Sequence, residues 1–426
     1  MALTISYTIE IGTPYSAVDF TGRTLGFSVR QAAPMSDVSP SSAFLTLENY
    51  DGELTPGGTG TYASTDWFAQ AIFISATIEG TNTLTAEVFH GFITDFAVAD
   101  DGTQSVVNIR CDDACMFLGT GAPDKGFGGD TAFEDAIRNT IGIASGVGEL
   151  PRLGGTNLTQ YNQAATLGFN SAHTVDASNS SSGTVADHLR TALLPSYPSA
   201  VWMARIRDNA GTTVFCEHYD LGSTLTRPTS GTFYEQRREL ELNDAQASGT
   251  RSEIEFHTLT RGFNNVDLVN RVAVTTTATG NTSTASDSTS SDAYGQKALT
   301  LRATVTETDA LAADTAANML NRRSTSRYVC QQVTTSTALM QTMNADADYT
   351  ALYILDVRTC FWNTARLTFT PTGGNEIEEL SVIVGRTIQA TPANTSIILD
   401  LLPAVDFQSF VLDSSALGVL NENRLG

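Results

Sequence analysis

Alternation of apolar and polar side chains at the start of the chain most constrains its fold. In the segment ISYTIEI, residues 5–11, every second residue is apolar. Successive side chains of a strand point to opposite faces of a sheet, so this period of two indicates a strand with one buried face. Similar extended segments follow at 43–48, 71–78, 86–99 and 105–111, with turns at Asn49–Gly52 and Asp100–Gly102. Residues 1–118 therefore predict a small antiparallel β-barrel or sandwich domain.

The residue pattern of the sequence changes near residue 119. A glycine-rich segment, GFGGD at 126–130, precedes a predicted helix at 131–144. A second helix is predicted at 184–194, ended by Pro195, and two strands at 200–207 and 212–219. Residues 119–240 therefore predict an α+β insert.

From residue 241 the chain again predicts strands, so the fold class is mainly β with an α+β insert between two β-barrel or sandwich domains. The second β domain spans 241–404, and it contains a long polar loop at 276–292 and one helix at 308–323. The helix carries a stripe of small residues, Ala310, Ala313 and Ala317 with Leu320, which favours close packing on a sheet. Later strands are predicted at 328–333, 353–357, 366–369, 380–387 and 396–402. Residues 405–426 form a C-terminal tail, which is either an added strand or a docking segment.

The net charge of the chain limits the kinds of partner that it can bind. It has 24 Lys and Arg against 46 Asp and Glu, for a net charge of −22, and Lys125 and Lys297 are its only lysines. A surface this acidic does not neutralise phosphates, so stable nucleic-acid binding is disfavoured. Two interpretations stay open: a charge that keeps the protein soluble, or a conduit wall that repels DNA in transit. No apolar run is long enough for a membrane anchor, and the segment MALTISYTIEIG does not have the pattern of a signal peptide.

The residue types that carry chemistry are scattered. Five cysteines at 111, 115, 216, 330 and 360 are typical of buried thiols, and the single C-x-x-x-C at 111–115 is a weak metal signal. The histidines at 90, 173, 188, 218 and 257 show no metal-ligand spacing. GFGGD lacks the Gly-Lys-Ser/Thr that completes a phosphate-binding loop. Glu378 and Glu379 are adjacent in a predicted strand, so their side chains point to opposite faces and cannot form one pair. The sequence therefore predicts no catalytic, cofactor-binding or metal-binding residue, no cofactor and no enzymatic activity.

The order of short motifs along the chain resembles the tail-tip, or baseplate hub, proteins of long-tailed, siphovirus-like bacteriophages. The motifs are AFLTLENYDGELTP at 43–56, AEVFHGFITDFAVADDG at 86–102 and VNIRCDDACMFL at 107–118. In the second half they are VDLVNRVAV at 266–274, SDAYGQKALTL at 291–301 and VIVGRTIQATPANTSIILDLLPA at 382–404. The resemblance covers residues 1–118 and 262–404.

The resemblance implies a structural virion protein with two related barrels of the tail-tube kind. Three chains would present six barrels to a six-fold tube, so the expected assembly is a homotrimeric ring. Such a ring would join a distal-tail or tail-tube protein to tip, fibre or tape-measure proteins, and DNA would meet it only in transit. The expected location is the tail tip of a virion, after synthesis in the host cytoplasm.

Three alternatives stay open. The chain could form a hexameric distal-tail ring instead of a trimeric hub. The insert could bind a receptor glycan through Trp202, Tyr219 or Tyr234. A cell-wall hydrolase is the third class, although no pair of carboxylates stands out for it.

The dipeptide Tyr294-Gly295 closes the polar tract. We expect Gly295 to be a turn or bulge residue and Tyr294 to pack where the chain re-enters its core. We expect the tract itself to be a tolerant loop, and a loop that contacts a neighbouring subunit is the alternative.

Overall fold

The fold is described from a computed structural model. The structure describes residues 3–12, 17–32, 40–68, 70–100, 102–113, 115–116, 131–132, 174–175, 184–188, 190, 200–206, 214–220, 240–243, 253–263, 268–276, 279–304, 308–326, 328–340, 347–361, 364–392 and 394–403.

Strands dominate the described chain. The N-terminal block contains β1 (Thr4–Ile11), β2 (Val18–Asp19), β3 (Thr24–Ala32), β4 (Ser42–Glu48), β5 (Ala71–Glu79), β6 (Thr83–Asp100) and β7 (Ser105–Asp112). The insert contains β8 (Thr131–Ala132), β9 (Thr174–Val175), β10 (Ala200–Ile206) and β11 (Val214–Asp220). The C-terminal block contains β12 (Leu240–Asn243), β13 (Glu253–Glu255), β14 (Thr258–Phe263), β15 (Arg271–Thr276), β16 (Thr282–Ser286), β17 (Ala298–Thr304), β18 (Tyr328–Ser336), β19 (Thr364–Phe369), β20 (Ile377–Ala390) and β21 (Thr395–Pro403).

Most helices of the described chain lie in the C-terminal block. They are a 3₁₀ turn at Thr21–Arg23, α1 (Val185–His188), α2 (Ser288–Tyr294), α3 (Asp309–Arg323), α4 (Thr337–Met340), α5 (Ala347–Leu355) and α6 (Val357–Cys360). None of the helices in the described residues is long and apolar enough to cross a membrane.

The N-terminal strands follow the predicted alternation. Along β5, the even-numbered residues from Ile72 to Ile78 are buried and the odd-numbered ones are not. β1 pairs antiparallel with β5, and the order continues through β6, β7 and β4 to β3. The inward-facing side chains of these strands build a continuous apolar core.

The turn predicted at Asn49–Gly52 is organised by one buried amide. The fully buried Asn49 accepts a hydrogen bond from the Leu54 amide at 2.9 Å and donates to Thr55 Oγ1 and Ser105 Oγ. Gly52 has φ of +68°, a conformation that residues with a Cβ rarely adopt. The Asn49–Gly52 motif is therefore explained by this turn, which uses a buried amide at residue 49 and a glycine at residue 52.

The two β-rich blocks share one sheet, which we call the main sheet. On one side, the 14-residue strand β20 pairs with β19 through Ile377–Val382 and with β3 of the N-terminal block through Gly385–Ala390. On its other side it pairs with β21, which leads to β18 and β14. A single cluster of buried side chains runs from Leu3 to Leu401. The blocks are therefore joined by backbone hydrogen bonds and by a common core.

A second sheet, which we call the small sheet, has the order β16-β15-β17. β15 pairs antiparallel with β16 and parallel with β17. α3 covers one face through a separate core of Val272, Val274, Ala312, Ala316, Met319 and Leu320. The predicted helix at 308–323 is confirmed, but the predicted stripe is wrong, because Ala310, Ala313 and Ala317 are exposed and the helix packs through the positions just listed.

The strand predicted at 353–357 is also wrong. These residues belong to α5, to Asp356 and to the start of α6, and all five are buried. A short apolar run carries no periodicity that separates a buried strand from a helix surrounded by protein. The core position of this segment decides its conformation.

The mainly β fold class is confirmed. In the insert, the predicted strands at 200–207 and 212–219 form the antiparallel hairpin β10–β11, and α1 lies within the predicted helix at 184–194. The predicted helix at 131–144 lies outside the described residues except for Thr131 and Ala132, which pair with β9. The division at residues 118 and 240 stays a prediction, as does the tail at 405–426.

Candidate functional site: the junction between the two blocks

The largest fully buried side chain of the described residues is that of Arg386, which lies in β20. Its Nε and Nη2 donate to Oε1 of Gln31 at 2.9 and 2.6 Å, and Nη2 also donates to the carbonyl of Val88 at 2.9 Å. Nη1 donates to the carbonyl of Ile354 at 2.5 Å. One side chain of the C-terminal block therefore binds β3 and β6 of the N-terminal block together with α5.

The charge of Arg386 is buried at a cost that its neighbours offset. Burial lowers its pKa below the ordinary value of an arginine, and the nearby Cys360 and the buried Asp356 act in the opposite direction. The guanidinium also lies 5.7 Å from the ring centroid of Phe361. A guanidinium stays protonated under such conditions, so this is a structural cation.

Two aspartates extend the junction. Asp348 in α5 is buried, and its Oδ2 accepts hydrogen bonds from the backbone and side-chain nitrogens of Asn82 at 2.8 and 3.0 Å. Asp356 accepts from the amide of Glu87 in β6 at 3.4 Å. These contacts fix α5 and the start of α6 against the β5–β6 hairpin. We call Arg386, Gln31, Asp348, Asp356 and their partners the junction.

A cleft with a volume of about 450 Å³ opens beside the junction, between β1, the start of β3 and the β20–β21 turn. Its lining is neutral and rich in hydroxyl groups: Thr4, Ile5, Ser6, Tyr7, Ile9, Thr21, Thr24, Gly26, Phe27, Thr337, Ala390, Thr391, Pro392, Asn394 and Thr395. Burial raises the pKa of Tyr7 to about 12, and the tyrosine ring packs edge-on against Phe27. The lining therefore contains no charged side chain.

The adjacent glutamates of β20 point to opposite faces, as predicted. Glu378 pairs with Arg366 at the surface. Glu379 is mostly buried and accepts from the amide of Cys330 at 2.8 Å and from Arg261 at 3.4 Å. Burial, helped by the nearby Glu379 carboxylate, raises the pKa of Cys330 to about 12. The two carboxylates therefore serve separate ion pairs and do not form one site.

The described histidines do not converge. His90 is buried, stacks on Phe73 at 4.3 Å, and has no hydrogen-bond partner for either ring nitrogen within the described chain. Burial lowers the pKa of His90 to about 3. His257 is exposed and lies 3.2 Å from Ser336 Oγ. His173 and the side chains of His188 and His218 lie outside the described residues.

The cysteines that the structure describes are buried free thiols at 111, 115, 330 and 360. Burial raises the pKa of Cys111, so this thiol is unreactive at neutral pH. Between the first two, Asp113 accepts amide hydrogen bonds from Ser41 and Cys115, both at 2.9 Å. Among the described residues, no three His, Cys, Asp or Glu side chains are grouped to hold a metal ion.

Several predictions on the insert fall outside the described residues: GFGGD at 126–130, Tyr234, and the side chains of Trp202, Tyr219 and Cys216. The backbone of β10–β11 places Trp202 opposite His218 and Tyr219 opposite Val201. Glycan binding by the insert stays a prediction.

The polar tract at 276–292, predicted to be a loop, forms β16 and the start of α2. Asp287 caps α2 by accepting from the amide of Ser290 at 3.0 Å, and Asp309 accepts from Thr279 and Asn281 at 2.6 and 2.7 Å. Side-chain hydrogen bonds replace the apolar burial that the tract lacks. Gly295 is a turn residue with φ of +74°, as expected, but Tyr294 is 46 % exposed and does not pack as an anchor.

Known proteins were compared with the chain at the level of sequence and of structure. No family model matches the sequence, and no curated protein matches it. Among solved structures, a tail protein from Neisseria meningitidis MC58 superposes with a TM-score of 0.55 at 12% identity, over 94% of this chain and 98% of that one. A prophage tail protein from Shewanella oneidensis superposes with a TM-score of 0.51 at 11% identity, also over 94% and 98%.

The chain has the fold of bacteriophage tail proteins. The match spans nearly the whole length of both chains. The resemblance inferred from the sequence motifs is therefore confirmed at the level of fold.

Proposed function

We propose that the chain is a non-enzymatic structural protein of a bacteriophage tail, located at the tail tip as a baseplate hub. The observation that supports this most is the near-complete superposition on two tail proteins, each of similar length to this chain. The scarcity of activated groups among the described residues agrees with a structural role. Its partners would be copies of itself, a distal-tail or tail-tube protein on one side, and tip, fibre or tape-measure proteins on the other.

The junction suits a protein that must not change shape under load. Because β20 pairs with both β19 and β3, separating the blocks would break a ladder of backbone hydrogen bonds as well as the contacts of Arg386. A ring subunit built this way would move as one body, and a connector between a tube and a tip needs that stiffness.

The proposed assembly is a homotrimeric ring, in which each chain contributes two β-rich blocks to a pseudo-six-fold surface. The mass of the purified assembly, measured by light scattering and paired with symmetry from projection images, tests this. Three-fold rings support the hub, whereas six-fold rings would identify a distal-tail protein. A chain that stays monomeric and joins no other tail protein would overturn both.

The net charge of −22 gives the ring a role in DNA passage. A lumen lined with carboxylates would repel DNA phosphates and keep the genome from adhering as it leaves. The test is the position of the exposed Asp and Glu side chains in a reconstruction of the ring. If most of them lie on the outside, the charge serves solubility and the conduit idea fails.

A further inference from the structure

β1 has a strand edge that is open over half its length. Its partner on that side, β2, covers only Glu10 and Ile11. The Ile9 amide donates to Thr21 Oγ1 at 2.9 Å and the Ile9 carbonyl accepts from Phe20, so the backbone groups of Ile9 point away from β5. Because this direction alternates along a strand, the backbone groups of Ile5 and Tyr7 also point away from β5. No strand in the described chain pairs with them.

This open edge borders the neutral cleft. Ile5 and Tyr7 line it together with the start of β3 and the β20–β21 turn, and none of its lining residues is charged. A strand laid along β1 would satisfy the free backbone groups and occupy the cleft. An occupying strand must itself be uncharged, because the cleft provides no counter-ion for a buried charge.

Most other sheet ends in the described chain are protected against pairing. Natural edge strands are kept from associating by being short or by carrying charged residues. Strands β2, β8 and β9 have two residues and β13 has three, and β10, β11, β14 and β17 contain charged residues: Arg205, Glu217, Asp220, Arg261 and Arg302.

β16 is the exception. Its sequence, TSTAS, has no charge and no proline, and it ends the small sheet with one edge open in the described chain. Thr282, Thr284 and Ser286 are exposed, and across the sheet Thr282 and Thr284 face Thr275 and Ala273. Among the described strands, two edges are therefore unprotected, one in each β-rich block.

Charge explains why these edges are suited to self-association. Two copies with a net charge of −22 each repel one another over most of their surface. Contact costs least where the touching residues carry no carboxylate: the lining of the β1 cleft has none, and the five residues of β16 have none. Because the two edges differ, pairing one with the other is heterologous, and heterologous contacts build rings when the rotation closes.

We propose that β16 of one copy adds to the open edge of β1 in the next copy and enters the neutral cleft. The inference rests on the proposed ring and names the surface that forms it. The contact is small, so it is weak between two isolated chains and gains its stability from closure of the ring.

Engineered cysteine pairs test the contact in the full-length chain. Ser6 is exposed at the centre of the open part of β1, so Ser6→Cys is combined in turn with Thr282→Cys, Thr284→Cys and Ser286→Cys. The three positions allow for the unknown register. The matched control combines Ser6→Cys with Thr300→Cys, because Thr300 is an exposed threonine of the small sheet on β17, two strands away from β16.

We expect one of the three pairs to form a disulfide between chains on mild oxidation and to give covalent oligomers on a non-reducing gel. The control pair should give none. Rings without any such cross-link would overturn the inference and leave the proposed function standing. A disulfide within one chain would also overturn the inference, because β16 would then reach its own β1. A chain that forms no ring and no cross-link contradicts the inference and the proposed assembly together.

Charge substitutions give a second readout. Ser6→Glu or Thr284→Glu should weaken ring formation about tenfold or more, because each buries a carboxylate in a neutral contact. Combining Ser6→Glu with Thr284→Lys in one chain should restore it. Equal ring formation by all of these variants would contradict the pairing, and unchanged unfolding free energies confirm that each variant is folded.

Discussion

The main sheet and the small sheet are ordered by different forces. The main sheet buries long apolar side chains on both sides of the junction and includes a fully buried arginine. The small sheet buries a few residues under α3, and its β15–β16 turn and α2 are held by hydroxyl, amide and carboxylate groups. A polar sequence can therefore be ordered when its side chains bond to the backbone and to each other, but we expect its stability to be lower and more local.

The largest expected effect is at the junction. Arg386→Met removes four hydrogen bonds and takes this donor away from the buried acceptors on Gln31, Val88 and Ile354. We expect the free energy of unfolding of the main sheet to fall by about 3–5 kcal/mol, measured by urea denaturation.

The control for that variant is Arg366→Met in the neighbouring strand β19. Arg366 pairs with Glu378 at the surface, so its loss should cost at most about 1 kcal/mol. Equal effects of the two substitutions would show that the junction contributes no more than a surface ion pair.

Acid should lower the stability of the main sheet, and not that of the small sheet, through His90. Its pKa is about 3 in the folded chain, against an ordinary value of 6.5, so the unfolded chain binds the proton more tightly. The contribution of His90 to stability is complete above pH 6.5 and is lost as pH falls toward 3, by about 3 kcal/mol between pH 7 and pH 4.

Asp113 acts with the opposite sign. Burial raises its pKa to about 7, so its contribution is complete below pH 4 and is lost as pH rises toward 7. In the parent protein these two effects on stability oppose each other. The contribution of His90 must therefore be measured as the difference in stability between the parent and a His90 variant. His90→Phe should gain stability relative to the parent on going from pH 7 to pH 4, whereas His257→Gln should follow the parent. Parallel pH profiles for His90→Phe and the parent would contradict the prediction.

Asn270 tests whether the small sheet unfolds locally. This buried amide donates to the Gly295 carbonyl and accepts from the Lys297 amide, both at 2.7 Å. Asn270→Ala should cost about 1–3 kcal/mol because it removes both hydrogen bonds of a buried side-chain amide.

Hydrogen exchange locates the effect of this variant. Amides of β15–β17 should exchange faster while those of the main sheet stay unchanged. Asn108→Ala, at an exposed amide of β7, should change neither. Faster exchange throughout the main sheet would show that the two sheets unfold as one unit.

The smallest expected effect is at the end of α2. Gly295 has φ of +74° and ψ of 162°, a region that is nearly exclusive to glycine, although no atom would contact an added Cβ. Gly295→Ala should therefore cost about 1–2 kcal/mol through backbone strain alone. Gly22→Ala, which has equal space and no positive φ, should cost less than half as much, and the comparison is made by thermal denaturation.

The sequence predicted the main-sheet strands well, because period-two alternation is a local property of the chain. The segments at 5–11, 43–48 and 105–111 were each predicted within one residue of the observed strand. The segment at 353–357 was mispredicted, since an apolar run in a helix and in a strand look alike until the surroundings are known. The site was harder to predict: nothing local marks Arg386 as buried, and its acceptors lie up to 355 residues away along the chain.

By itself, the sequence determined the mainly β fold, the helix at 309–323, the negative charge and the order of motifs that resembles phage tail proteins. Only the tertiary structure decided that β20 joins the two blocks into one sheet, that β16 and α2 form within the polar tract, and that two neutral strand edges stay open in the described chain. The physical reason is the distance along the chain over which each interaction acts. Alternation, capping and turn preferences act over a few residues, whereas strand pairing and the burial of Arg386 depend on segments that meet only in the folded chain.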